Sequence, residues 1–285
     1  MEQLRATAQT LIEALPYIKQ YQGRTIVLKY GGNAMVDAEL SRHVMRDVVL
    51  MATVGMRPVV VHGGGPQVSE MMSRLGAEPR FVGGMRVTDE QTLEIAEMVL
   101  AGTINKGIVG LLHELGGRAV GLSGRDGECV KARQVENAEL GLVGDVSEID
   151  SSLLVKLLDG GFVPVLCSIA AGPGGKALNV NADLVAGHVA KALAPASLVV
   201  LTDVAGVMED PSDETTLISE LPASRAREML STGAAEKGMI PKLGACLAAL
   251  DAEGNRVHII DGRIPHSVIM ELLTDRGIGT LVVRD

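Results

Sequence analysis

The strongest constraint on this chain is its alternation of short β-branched runs with helical periodicities. Strand-like segments recur at Thr25–Lys29, Pro58–Val61, Ala119–Leu122, Phe162–Cys167, Leu198–Leu201, Val257–Ile260 and Thr280–Val283. Between them apolar residues repeat at helical spacing. Leu40, Val44, Val48 and Met51 share one face, as do Val68, Met71, Met72 and Leu75, and later Val185, Val189 and Ala192. Strands separated by helices need crossover connections, which predicts a mainly parallel sheet covered on both sides. No internal repeat or low-complexity linker interrupts the pattern. Ala170–Lys176 (Ala-Ala-Gly-Pro-Gly-Gly-Lys) is the best candidate for a loop or hairpin dividing two lobes.

Ahead of the first strand, Leu4, Leu11, Ile12, Leu15 and Ile18 form a helical stripe, with Pro16 placed to kink or interrupt it. This helix either offers its stripe to another subunit or packs on its own sheet. The expected division is an N-terminal helix over 1–22, an N-lobe over 23–177 and a C-lobe over 178–285.

Composition narrows the function. Acids outnumber bases 35 to 26, and aromatic residues are only 2% of the 285 residues. Such a chain lacks both the phosphate attraction and the stacking platforms of a nucleic-acid binder. Cys129, Cys167 and Cys246 are odd in number and match neither a zinc spacing nor a disulfide framework, so a reducing cytoplasm is the expected home. Uninterrupted apolar stretches such as Val48–Ala52 and Leu198–Leu201 are far short of the roughly 20 residues of a membrane span. Charged residues in the first turns argue against a signal peptide.

Glycine is over-represented, at 34 residues, and clusters after strand-like runs. The first strand ends in Lys29-Tyr30-Gly31-Gly32-Asn33 and the second in His62-Gly63-Gly64-Gly65-Pro66. Ligands of open parallel sheets bind beyond the carboxyl ends of strands, and glycine turns at a helix start suit anions. Such turns also serve simply to reverse the chain. There is no Walker-type loop and no dinucleotide fingerprint after the first strand, which disfavours an NAD-dependent oxidoreductase. In Asn179-Val180-Asn181-Ala182-Asp183, alternate polar side chains share a face of extended chain, although Asn181 could instead cap the following helix. Lys242 near a helix start opposes the dipole, and Arg86 could grip a carboxylate or lie on the surface.

Together these segments resemble the amino acid kinase family. Leu28–Gly32, Val61–Pro66, Gly84–Thr88, Asn179–Asp183, Leu201–Val204 and Gly238–Lys242 carry the likeness, and the arginine segment with the Asn-x-Asn-x-Asp run points to its acetylglutamate branch. The resemblance implies a three-layer αβα sandwich and phosphoryl transfer from ATP to the side-chain carboxylate of N-acetyl-L-glutamate, the second step of arginine synthesis by the acetylated route. It implies that Lys29 and Lys242 stabilise the moving phosphoryl and that Asp183 holds both lysines. Gly31, Gly32 and Gly65 would line the phosphate path. Gly64, Gly65, Arg86, Asn179 and Asn181 would bind the amino acid, while Thr202, Asp203 and Met239 would serve the nucleotide. Magnesium would be held mainly by phosphates and water.

The chemistry needs no general base, since a glutamate carboxylate with a pKa of about 4.3 is already ionised near neutrality. The motifs therefore need no catalytic histidine, and His43, His113 and His188 are read as packing or surface residues. Family members with a similar N-terminal helix are hexamers inhibited by arginine. That likeness implies a trimer of dimers, and the similarity of His258–Arg263, Glu271 and Gly277–Thr280 implies an arginine site made by His258, Glu271 and the backbone at Gly277, with Tyr17 of the N-terminal helix closing it. A PII-type signalling partner is left open. Lys237 departs from the small or neutral residue usual before Gly-Met. The rival readings are a related kinase acting on an aminoadipate derivative or aspartate, and a non-catalytic amino-acid sensor.

Overall fold

The computed structural model describes every residue except Pro211, Ala234, Glu236 and Lys237; the departure at Lys237 thus lies outside the described residues. Helix α1 (Glu2–Tyr21) precedes β1 (Thr25–Tyr30), α2 (Asn33–Val36), α3 (Ala38–Thr53), β2 (Arg57–His62) and α4 (Gly65–Arg74). A hairpin of β3 (Phe81–Val82) and β4 (Met85–Arg86) leads into α5 (Glu90–Glu97), a π-helical turn at Met98–Ile104 and α6 (Asn105–Glu114). Then come β5 (Ala119–Ser123), β6 (Val130–Gln134), β7 (Val143–Ile149), α7 (Ser152–Asp159), β8 (Val163–Cys167), β9 (Ile169–Ala171) and β10 (Ala177–Val180). The last stretch holds α8 (Ala182–Ala192), β11 (Ala196–Thr202), β12 (Glu220–Pro222), α9 (Ala223–Thr232), α10 (Ile240–Leu250), β13 (Arg256–Asp261), α11 (Ser267–Leu272) and β14 (Thr280–Val283).

Among the described residues, eight strands form one sheet in the order β12-β14-β13-β11-β1-β2-β8-β5. Its pairs are parallel except β13 with β14. Every strand expected from the sequence lies in this sheet. Alternate residues of β1 enter two cores: Val27 joins Val185 and Val189 of α8 and Leu243 of α10, while Ile26 and Leu28 join Val44 and Val48 of α3 and Leu112 of α6. Helices on both faces of a mainly parallel sheet make the three-layer αβα sandwich.

Five expectations need adjusting. β6, β7, β9 and β10 close a small barrel that the sequence pattern did not suggest, and Ala170–Lys176 holds the end of β9 and the turn of the β9–β10 hairpin. Leu75 is 53% exposed because α4 ends one residue earlier and the chain turns out; Ala192, at the last turn of α8, is also exposed. Helix α1 runs through Pro16 without interruption. The carbonyl that Pro16 cannot reach belongs to exposed Ile12, where water can serve as donor. Finally, α5, the π turn and α6 make one helix of 25 residues, Glu90–Glu114, long and apolar enough to cross a membrane by length and composition. Leu93, Ile95, Val99, Leu100 and Leu112 of that helix pack into the cores, and its ends carry Glu90, Glu94, Glu97, His113 and Glu114.

The stripe of α1 divides by position. Tyr17, Ile18 and Tyr21 pack on the core beneath α3, whereas Leu4, Leu11, Ile12 and Leu15 are exposed.

Candidate active site

The carboxyl ends of β1 and β2 open into a cleft of about 290 Å³. Lys29 is the penultimate residue of β1 and is only 8% exposed. Its Nζ lies 3.0 Å from Asp183 Oδ1, a close and nearly buried ion pair. Asp183 stands in the first turn of α8, and Asn181 caps that helix by accepting from the Asp183 and Leu184 N–H groups at 2.7 and 3.4 Å. The capping alternative for Asn181 is therefore realised, and the same residue also lines the cleft.

The cleft also gathers Gly31, Gly32, Gly64, Gly65, Arg86 and Asn179. Gly32 needs its left-handed φ of 68°, and a Cβ there would come within 2.6 Å of the Asp203 carboxylate. That carboxylate accepts the Asn33 N–H at 2.8 Å, tying the loop after β1 to the end of β11. Asn179 Nδ2 donates to Thr88 Oγ1 at 3.2 Å.

Arg86 is buried and carries its charge without an acid. Its guanidinium donates to the Gly65 carbonyl at 2.8 Å and to Ser69 Oγ at 2.7 Å, and stacks 4.8 Å from the Phe81 ring centroid. Among the described residues no carboxylate pairs with it. Burial lowers its pKa, though an arginine stays protonated in proteins. A buried cation that lines the cleft and has no acid of its own is suited to an anionic ligand.

Lys242 approaches from α10. The helices α8 and α10 cross tightly because Gly187 has no Cβ to strike the Ala245 backbone, which brings their first turns together. Burial depresses the Lys242 pKa and the nearby Lys29 charge adds to this, while Asp183 and Asp203 oppose it. Its Nζ donates to the Gly238 carbonyl at 2.9 Å, and the cleft wall does not include it. Thr202, Asp203 and Met239 also lie off that wall: Thr202 ends β11, and Met239 packs beside the core at the start of α10.

The effector candidates converge elsewhere, around a cavity of about 360 Å³ lined by Tyr17, His258, Glu271 and Gly277. His258 Nδ1 is 2.7 Å from Glu271 Oε1, and Glu271 Oε2 accepts the Ile278 and Gly279 N–H groups at 2.7 and 3.2 Å. Burial would raise the Glu271 pKa, but His258 and those two amides outweigh it and the net shift is downward.

Sequence reasoning did not find Ser168, Gly144 and Asp145 on the cleft wall. They come from the unexpected barrel and the end of β8, and no motif marks them.

The chain belongs to the amino acid kinase family, whose sequence pattern matches residues 24–261. It is 49% identical over 281 residues to the acetylglutamate kinase of Thermoanaerobacter pseudethanolicus, covering 98% of this chain and 94% of that protein. It is 50% identical over 279 residues to the acetylglutamate kinase of Caldanaerobacter subterraneus subsp. tengcongensis, with 98% and 93% covered. Among solved structures, N-acetylglutamate synthase from Neisseria gonorrhoeae, complexed with coenzyme A and N-acetyl-glutamate, matches with a TM-score of 0.85 at 27% identity. That match covers 98% of this chain, which spans 63% of the synthase's length.

Asp183→Asn leaves the buried Lys29 ammonium without its counter-charge, and the expected loss of folding stability is about 3–5 kcal/mol. A urea midpoint equal to that of the unmodified chain would contradict this.

Proposed function

We propose that the chain transfers the terminal phosphoryl of ATP to the side-chain carboxylate of N-acetyl-L-glutamate, forming an acyl phosphate, as in the second step of arginine synthesis by the acetylated route. The observation that carries this reading is a single cleft holding a lysine–aspartate pair, two glycine turns and a buried arginine without an acid partner. The names borne by full-length relatives support it.

Bringing a carboxylate against a triphosphate sets like charges together, at a cost of about 4 kcal/mol per unit pair at 4 Å in a semi-polar site. Lys29 and Lys242 offset that repulsion where charge spreads over the phosphoryl oxygens. Asp183 holds both ammonium groups in place. Backbone N–H groups at Gly31, Gly32 and Gly65 line the phosphate path. Arg86 takes the α-carboxylate, and Gly64, Gly65, Asn179 and Asn181 hold the rest of the acetylated amino acid. Thr202, Asp203 and Met239 serve the nucleotide side. In this assignment residues 23–177, joined by Asn179 and Asn181 across the boundary, bind the amino acid, and the remainder of residues 178–285 binds ATP.

The residues present fit magnesium held through phosphate and water. Asp183 faces Lys29 and Asp203 accepts the Asn33 N–H, so neither offers a free carboxylate cage. When bound, the ion neutralises phosphate charge.

The second cavity supports feedback inhibition by arginine, with Glu271 as the guanidinium partner and Tyr17 closing the site from α1. The exposed Leu4, Leu11, Ile12 and Leu15 fit a homo-hexamer assembled as a trimer of dimers through α1. A cytoplasmic setting matches the use of ATP and the three buried free cysteines.

The test is ATP-dependent formation of a hydroxylamine-trapped acyl phosphate across a panel of acidic amino acids. N-acetylglutamate is expected to be the preferred acceptor, Arg86→Ala to raise its KM, and Lys29→Ala to lower kcat by about 100-fold or more. A rise only in the KM for ATP in Arg86→Ala would overturn the lobe assignment. Lys242 acts as a cation, which exists below its pKa. Because that pKa is depressed, activity is expected to fall with rising pH before the ordinary lysine value of about 10.4, and Lys242→Arg removes the fall. An unchanged alkaline limb would place the titrating group elsewhere. Removing residues 1–22 is expected to give dimers with weakened arginine inhibition, whereas hexamers in sedimentation would refute the role of α1.

A further inference from the structure

His62 ends β2, is fully buried, and precedes the Gly63-Gly64-Gly65 turn. Its ring nitrogens have different neighbours: Nδ1 lies 2.9 Å from the Gly63 carbonyl oxygen and Nε2 lies 3.1 Å from Asn105 Nδ2. An amide nitrogen only donates and a carbonyl oxygen only accepts. One tautomer satisfies both contacts, with Nε2 accepting from Asn105 and Nδ1–H donating to Gly63. Burial pushes the ring's pKa down to about 4, with Lys106 adding to the effect against the Gly63 bond. The ring therefore stays neutral at ordinary working pH.

Asn105 is itself braced. Besides the His62 ring, its Nδ2 donates to the Val165 carbonyl at 2.9 Å, with the Leu122 carbonyl at 3.3 Å sharing one of its two N–H bonds, and its Oδ1 accepts from Lys106 Nζ at 3.2 Å. It opens α6 directly after the π-helical turn Met98–Ile104. That same turn presses Leu100 and Ile104 against Gly64, where a Cβ would collide with both. One wide helical turn thus packs against Gly64 and sets Asn105 beside His62, and π turns recur at functional sites.

In a trans peptide the C=O and N–H point in opposite directions. Anchoring the Gly63 carbonyl on His62 turns the Gly64 N–H away from the ring, and Gly64 lines the cleft. Flanking glycines would otherwise leave this peptide free to rotate. We infer that His62, braced by Asn105, is a positioning residue that locks the Gly63–Gly64 peptide with its N–H directed into the cleft, as a donor to the anionic oxygens handled there. This rests on reading the cleft as a phosphoryl-transfer site. His62 acts only through the peptide and does not touch the reacting atoms.

The test compares His62→Asn, His62→Gln and His62→Leu in the full chain. Asparagine offers an amide N–H near the place of Nδ1 and keeps the Gly63 bond, while glutamine reaches the place of Nε2 and keeps only the Asn105 side. The kcat on N-acetylglutamate is expected to stay within about tenfold of the unmodified chain for His62→Asn and to fall about 100-fold for His62→Gln and His62→Leu, the scale of a misplaced catalytic group. Equal losses in the Asn and Gln variants, in step with their melting temperatures, would make the role structural and overturn the proposal. The Gly64 amide resonance reads the peptide without turnover: native-like in His62→Asn and displaced in His62→Gln supports the inference, and no difference refutes it. An unmodified chain that fails to phosphorylate N-acetylglutamate would instead overturn the reading of the cleft, with the resonance still deciding the role of His62.

Discussion

A buried ammonium needs a counter-charge within reach, and Lys29 finds it in Asp183 at 3.0 Å. One residue lies next to the end of β1 and the other in the first turn of α8, so the pair ties two distant parts of the sequence to one point above the sheet. The rest of the cleft is arranged around that point. Gly31 sits so close to Lys29 that a Cβ would meet its Nζ at 2.8 Å. Gly187 lets α10 approach α8 and carry Lys242 into the electrostatic reach of the same aspartate.

Backbone groups matter here as much as side chains. The loops after β1 and β2 are glycine-rich because they approach one another and the ligand space closely. Asp203 fixes the first through the Asn33 N–H, and His62 fixes the second through the Gly63 carbonyl. Each loop is thus held from behind by a polar side chain, which limits the freedom that glycine brings.

Seven of the eight strands of the main sheet were legible in the sequence, because the central ones are buried on both faces and read as continuous apolar runs, as in Val59-Val60-Val61; the edge strand β12, three residues with only Leu221 buried, was not. The barrel was not. In β6, buried Val130 and Ala132 alternate with Lys131 and then give way to exposed Arg133 and Gln134, a pattern too short to separate from a loop. Lys29, Asp183, Arg86 and Asn179 were legible as candidates because charged or amide residues stood beside glycine turns or at a helix start. Their convergence was not legible, since it depends on the parallel pairing of β1 with β2 and β11 and on the α8–α10 crossing. Asn181 proved to be both cap and cleft wall, a double role that the sequence posed as a choice. The part of Asn105 could not be read at all, because it arises from a π turn that shifts the helix's facing by a fraction of a turn.

The central claim is that lysine charge offsets repulsion between two anionic substrates, and calorimetry can read this as a coupling between their binding. A non-hydrolysable ATP analogue with magnesium would be titrated into the chain with and without N-acetylglutamate, for the unmodified protein and for Lys29→Met. The account predicts near-independent binding in the unmodified protein. In Lys29→Met it predicts mutual antagonism of up to about 4 kcal/mol, the repulsion of one unscreened charge pair at 4 Å in a semi-polar site. The same coupling in both proteins would contradict it.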